Sequence, residues 1–172
     1  MNFVSKGQPL TRAGLTKVLE MLGLGANDSA YIWTVVEVET AGVTQGFGFR
    51  IDHRPQILFE RHIFRKYTNG RFDSEAPDIS GPAGGYGLLS EQYNKLEKAL
   101  ALCTKAKLGV EPALKAASWG MGQIMGFNHQ VAGFKSAAEM VKAMIRGEDQ
   151  QLAAMAGFLN ANGLTARLTN KE

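Results

Sequence analysis

Two glutamates in this chain sit among apolar neighbours, where a carboxyl group can do acid–base work. Glu39 ends the run Ile-Trp-Thr-Val-Val-Glu-Val-Glu over 32–39. At about 100° per residue, Ile32, Val35, Val36 and Glu39 fall within one arc of roughly 100°, and Glu37 falls well outside it. The spacing predicts a part-buried carboxyl at the C-terminal end of a helix. Burial and the negative end of the helix dipole both favour the protonated acid. Such an acid can donate to a departing oxygen. The same placement also suits a structural glutamate bonded to backbone or to an arginine. Glu60, in Ile-Leu-Phe-Glu-Arg-His-Ile-Phe over 57–64, closes an apolar run. If a strand continued through it, Leu58, Glu60, His62 and Phe64 would share a face. A carboxylate there could orient water or offset positive charge, or it could simply pair with Arg61 or Arg65. His62 is expected to hold Glu60 or to pack.

A third stretch is Ser-Trp-Gly-Met-Gly-Gln-Ile-Met-Gly-Phe-Asn over 118–128. Gly120, Gly122 and Gly126 would let backbone approach a ligand closely. Gln123 and Asn128 both donate and accept, which suits hydroxyl and amide groups. Trp119 and Phe127 offer flat apolar faces. The stretch reads equally well as a tight connection between helices. Tyr86, beside Gly84-Gly85, could line the same groove. His53, His62 and His129 with Glu60 match no ligand spacing, and no His-Glu-x-x-His is present, so no metal site or cofactor is expected.

The elements that must position these groups are mostly helical. Leu15, Val18, Leu19 and Leu22 predict a helix over 11–22, stopped by Gly23 and Gly25. Asn27, Asp28 and Ser29 can cap a second over 30–40, ended by Ala41-Gly42. Asp52 to Pro55 reads as a turn inside a small hairpin over roughly 46–60. Residues 61–67 could prolong its strand or begin a short helix, and 68–90 read as a long loop. Ser90 can cap a helix bearing Tyr93, Leu96, Leu100 and Cys103. Glu111-Pro112 opens another. Ser136 and Glu139 form a capping-box pattern before Met140, and a last helix spans about 149–162, closed by Gly163. The fold class is α+β, with one small antiparallel sheet inserted after the second helix.

The 172 residues suit a single domain with an irregular lead-in over 1–10, and 45% hydrophobic content supports a core. One cysteine, Cys103, excludes an intramolecular disulfide. The net charge of +3 has no dense basic run behind it, so cell wall or other anionic surfaces are favoured over nucleic acid. No secretory signal and no membrane-spanning stretch are read.

Val-Val-Glu-Val-Glu-Thr-Ala-Gly (35–42), Arg-Pro-Gln-Ile-Leu-Phe-Glu-Arg-His-Ile-Phe (54–64) and Ala-Ser-Trp-Gly-Met-Gly-Gln-Ile-Met-Gly-Phe-Asn-His (117–129) resemble the phage-type N-acetylmuramidases, in that family's order. The resemblance runs from about Leu10 onward. More widely, Glu-Thr-Ala-Gly at 39–42 is similar to the Glu-Ser-Gly-Gly of goose-type lysozymes and lytic transglycosylases. Thr40 and Ala41 depart slightly from that pattern. The resemblance implies a lysozyme-like fold and cleavage of the MurNAc-β-1,4-GlcNAc bond of peptidoglycan. It implies Glu39 as general acid and Glu60 as second carboxyl. Ser118, Trp119, Gln123, Asn128, His62 and Tyr86 are then the expected substrate contacts. It further implies a monomeric endolysin without a separate wall-binding module, made in a host cytoplasm and reaching the wall after the membrane is permeabilised. A lytic transglycosylase or a non-catalytic wall binder would carry many of the same features.

Overall fold

A computed structural model describes residues 1–40 and 48–166; the expected helix stop at Ala41-Gly42 and the start of the hairpin lie outside them. The first helix, α1 (Arg12–Met21), is capped by Thr11, whose hydroxyl accepts from the Gly14 N–H. Gly23 ends it at φ +66, a left-handed conformation open to a residue without Cβ. A 3₁₀ turn over 26–28 leads into α2 (Ser29–Thr40), where Ile32 and Val36 are fully buried.

The sheet differs from the expected hairpin. Phe49 and Pro55 do pair across the Asp52–Arg54 turn, but only as an isolated bridge. The strand proper, β1 (Ile57–Phe59), pairs with β2 (Ala117–Trp119), which pairs with β3 (Ile124–Met125). Both pairings are antiparallel, with Leu58 opposite Ser118 and Ser118 opposite Met125. The stretch read as a connection between helices therefore supplies two of the three strands. After Phe59 the chain turns into α3 (Arg61–Tyr67), with Glu60 at its N-cap position. Leu58, Glu60, His62 and Phe64 accordingly share no strand face.

Residues 68–80 are not loose either. They coil through successive turns that bury Phe72, Ala76 and Ile79, and Phe72 stacks on Phe64 at 5.7 Å. Asp73 fastens this coil to α3. It accepts from Arg65 Nε at 2.7 Å and from the Ser80 hydroxyl at 2.6 Å.

The helical half follows the predicted periodicity. It comprises α4 (Gln92–Lys105), α5 (Glu111–Lys115), α6 (Ala137–Arg146) and α7 (Glu148–Ala161). A 3₁₀ turn over 89–91 precedes α4, so Ser90 does not cap it. At α6 only half of the capping box forms. Ser136 accepts from Glu139 N, while the Glu139 carboxylate takes the Lys135 N–H.

Apolar side chains gather in two clusters. One surrounds the sheet and α3–α6, centred on Trp119, Tyr93, Phe64 and Met140. The other joins α1, α2 and α7 through Val18, Ile32, Val36, Leu152 and Met155. Two elements enter both: α7 contributes Ala154 to the first and Leu152 to the second, and the β2–β3 hairpin contributes Ile124 and Met121 respectively. The lead-in is irregular but anchored, with Phe3 packed against Tyr93 and Trp119.

Candidate active site

Glu60 stands where β1 gives way to α3. An extended φ of −105° and ψ of 97° turn its side chain off the strand, and the carboxylate is only 16% exposed. His62 Nδ1 lies 3.2 Å from Glu60 Oε2. The two atoms are not aligned for a hydrogen bond, and both are buried without another partner. Buried polar atoms are nearly always satisfied, so the unpaired Glu60 Oε2 and His62 Nδ1 mark a place where another polar group can bind. Tyr86 brings its hydroxyl to the same carboxylate. The negative charge of Glu60, then burial, then hydrogen bonding to Glu60 raise the Tyr86 pKa above its ordinary value. The phenol therefore stays protonated and donates. Glu60, His62 and Tyr86, picked out separately in the sequence, form one cluster.

A buried amide behind this cluster fixes both of its sides. Gln92 is wholly inaccessible. Its Oε1 accepts the Phe59 N–H at 2.9 Å, one residue before Glu60. Its Nε2 donates to the carbonyls of Tyr86 and Leu88 at 2.7 and 3.0 Å. Lys95 Nζ adds a bond to the Tyr86 carbonyl at 2.6 Å, and Arg61 Nε holds the Pro82 carbonyl at 2.7 Å. The glycine-rich segment around Tyr86 is thus strapped to the free edge of β1, a row of N–H groups that would otherwise need water. Nothing in the sequence set Gln92 apart from the other polar residues at helix starts.

Ser118 and Gln123 meet across the β2–β3 hairpin, the hydroxyl donating to Gln123 Oε1 at 2.6 Å. Gln123 Nε2 binds the Gly120 carbonyl at 2.8 Å. Its backbone is left-handed at φ +44, an uncommon state for a residue with a side chain. Asn128 ends the 3₁₀ turn over 126–128 and is half-buried. Trp119 departs from expectation. It is fully buried, its indole N–H bonds the Leu114 carbonyl at 3.1 Å, and neither ring face is open to a ligand.

The glycines also serve packing rather than ligand approach. A Cβ on Gly126 would strike the Leu114 carbonyl, one on Gly122 would lie 2.7 Å from Met155, and one on Gly120 would lie 2.6 Å from Gln151 Oε1. Gln151, fully buried, accepts the Met121 N–H at 2.9 Å and donates to the Met144 carbonyl at 3.0 Å. One turn earlier, the buried Glu148 carboxylate accepts the N–H groups of Gly48 and Leu10, each at 2.9 Å. Sequence reading overlooked both residues. Their signal was spacing, because 148, 151, 152, 155 and 159 form one stripe and two of its members are polar.

Glu39 occupies the last turn of α2, as expected, but it is exposed rather than part-buried. Ile32 and Val36 of the same arc are buried, so the stripe surfaces at its C-terminal end. The segment that follows, 41–47, lies outside the described residues.

A carboxylate at the end of a helix, a second one beside a small antiparallel sheet, and a helical C-terminal half define a lysozyme-like α+β protein. The chain belongs to the N-acetylmuramidase family, whose model matches residues 28–172. Its structure is similar to the crystal structure of the Burkholderia AP3 phage endolysin, with 32% sequence identity and a TM-score of 0.76. That match covers 95% of this chain and 59% of the endolysin, so the chain spans well under two thirds of the other protein. Among curated proteins none matches.

Proposed function

We propose that this chain cleaves the MurNAc-β-1,4-GlcNAc bond of peptidoglycan, with Glu39 as the general acid, in phage-driven lysis of a bacterial host. The observation that carries the reading is the family match, which spans both Glu39 and the Glu60 cluster. Glu39 gives its proton to the oxygen leaving MurNAc C1 as that bond breaks, and positive charge develops on the MurNAc ring. Water adds to C1 and loses a proton to the second carboxylate, so the products are a reducing MurNAc end and a free GlcNAc hydroxyl. Glu60 takes the second role. The Tyr86 hydroxyl holds its carboxylate, and His62 stands beside its buried oxygen. Substrate binding displaces water from the exposed Glu39. Ser118, Gln123 and Asn128 meet the sugar amides and hydroxyls.

The chain acts as a monomer and a single catalytic unit. It is made in the host cytoplasm and reaches the wall once the membrane has been opened. Mass spectrometry of the muropeptides released from purified peptidoglycan tests the bond. Reducing MurNAc ends support a muramidase. Anhydro-MurNAc ends would make it a lytic transglycosylase, with the MurNAc 6-hydroxyl in place of water. Binding without cleavage would make it a wall-binding module.

A further inference from the structure

A cavity of about 430 Å³ opens beside His62, between α3 and the Gly81–Pro82 segment. That volume lies within the usual range for a small-ligand site. Its lining carries His62, Arg65, Lys66 and the amide of Asn69, and no carboxylate. Arg65 is partly compensated, since its Nε binds Asp73 at 2.7 Å. Lys66 has no carboxylate partner among the described residues, and its ammonium lies 5.9 Å from the centre of the Tyr67 ring. The cavity therefore presents net positive charge and a two-way hydrogen-bonding amide, and it shares His62 with the candidate catalytic cluster. In peptidoglycan, the anionic groups nearest the glycan backbone are the carboxylates of the stem peptides, which hang from the lactyl groups of MurNAc.

We infer that this pocket binds a stem-peptide carboxylate while the glycan lies beside Glu60, so that the enzyme prefers strands whose peptides carry free carboxylates to strands whose peptides are amidated; this rests on the muramidase reading. Lys66 supplies the charge, and Asn69 and Arg65 supply hydrogen bonds. The site is open and wet, so its contribution is modest and sensitive to salt.

The test compares wild type with Lys66→Glu on intact strands and on the same strands with their stem-peptide carboxylates converted to amides. On intact strands at low salt, KM should rise about ten-fold with kcat little changed, while amidated strands are cleaved equally by both proteins. An equal loss on both substrates, or no loss on either, would overturn the inference. A second measurement reads the pocket independently of turnover. A soluble muramyl peptide, which contains no scissile glycosidic bond, is titrated into the labelled full chain. Amide NMR shifts should appear at Lys66, Asn69 and Gly70. They should vanish when the peptide carboxylates are converted to amides. Shifts that persist with the amidated peptide, or shifts absent with the native one, would contradict carboxylate recognition. If wild type cleaves neither substrate, the muramidase reading fails while the titration still decides the pocket.

Discussion

At the scale of single residues, the candidate chemistry rests on charge placed beside a phenol. Glu60 opposes ionisation of Tyr86, because a phenolate next to a carboxylate would put two like charges together. Removing the carboxylate charge should let the phenol ionise at lower pH. Spectrophotometric titration of Glu60→Gln, referenced to Tyr86→Phe, should show one tyrosine moving back toward the ordinary value of 10.0. An unchanged titration would separate Tyr86 from Glu60. This cluster was partly legible in the sequence. Glu60 and His62 are two residues apart, whereas Tyr86 and its glycines read as lining the groove of the 118–128 stretch and gave no sign of meeting Glu60. Trp119 was misread because an aromatic ring fills a core as readily as it stacks on a sugar, and its residue type does not say which. Glu39 was placed correctly on its helix but not in its burial, since helical spacing gives the direction of a side chain and not where the neighbouring cover ends.

At the scale of elements, the strap behind the cluster is a buried amide with three partners. Gln92→Leu should leave the buried Phe59 N–H unsatisfied, while the Tyr86 and Leu88 carbonyls keep Lys95 Nζ and the Glu91 N–H, and should cost about 1–3 kcal/mol of stability. Activity should fall further than stability accounts for, because the Tyr86 segment is released. Denaturant unfolding together with turnover of the folded fraction would show this, and full specific activity would refute a positioning role. The coil over 68–80 depends on Asp73. The Ser80 hydroxyl first, then Arg65, hold its pKa below the ordinary 3.8, with burial opposing weakly. A depressed carboxyl pKa stabilises the fold above the ordinary range, and that stability is lost as pH falls through the lowered value. Asp73→Asn should therefore melt slightly below wild type at neutral pH, and the gap should close in acid below about pH 3.8. Melting curves across that range check the sign. The long helices were legible because their apolar stripes repeat several times. The sheet was not, because β2 and β3 hold three and two residues, too few for a period of two to show, and β1 finds its partner about 60 positions away.

At the scale of the whole molecule, the two carboxylates belong to different halves. Glu39 rides on α2, packed in the cluster with α1 and α7, and Glu60 rides on the cluster around the sheet. Their relation is set where α7 meets the β2–β3 hairpin. Gln151 and Met155 close on Gly120, Met121 and Gly122 there. Gln151→Leu should strand the buried Met121 N–H and Met144 carbonyl, costing about 2–3 kcal/mol. It should also lower kcat in the protein that remains folded. A variant with wild-type kcat would show that the junction stabilises the fold without setting the site.

The role proposed for Glu39 is to deliver the proton to the leaving sugar. Purified peptidoglycan digested with wild type and with Glu39→Gln, side by side, tests it most directly when the new reducing MurNAc ends are counted by mass spectrometry. The amide keeps the shape of the side chain but cannot protonate the leaving oxygen. A folded Glu39→Gln should therefore release such ends at least about 100-fold more slowly than wild type. Release at a near wild-type rate would contradict the assignment and move the acid to another residue.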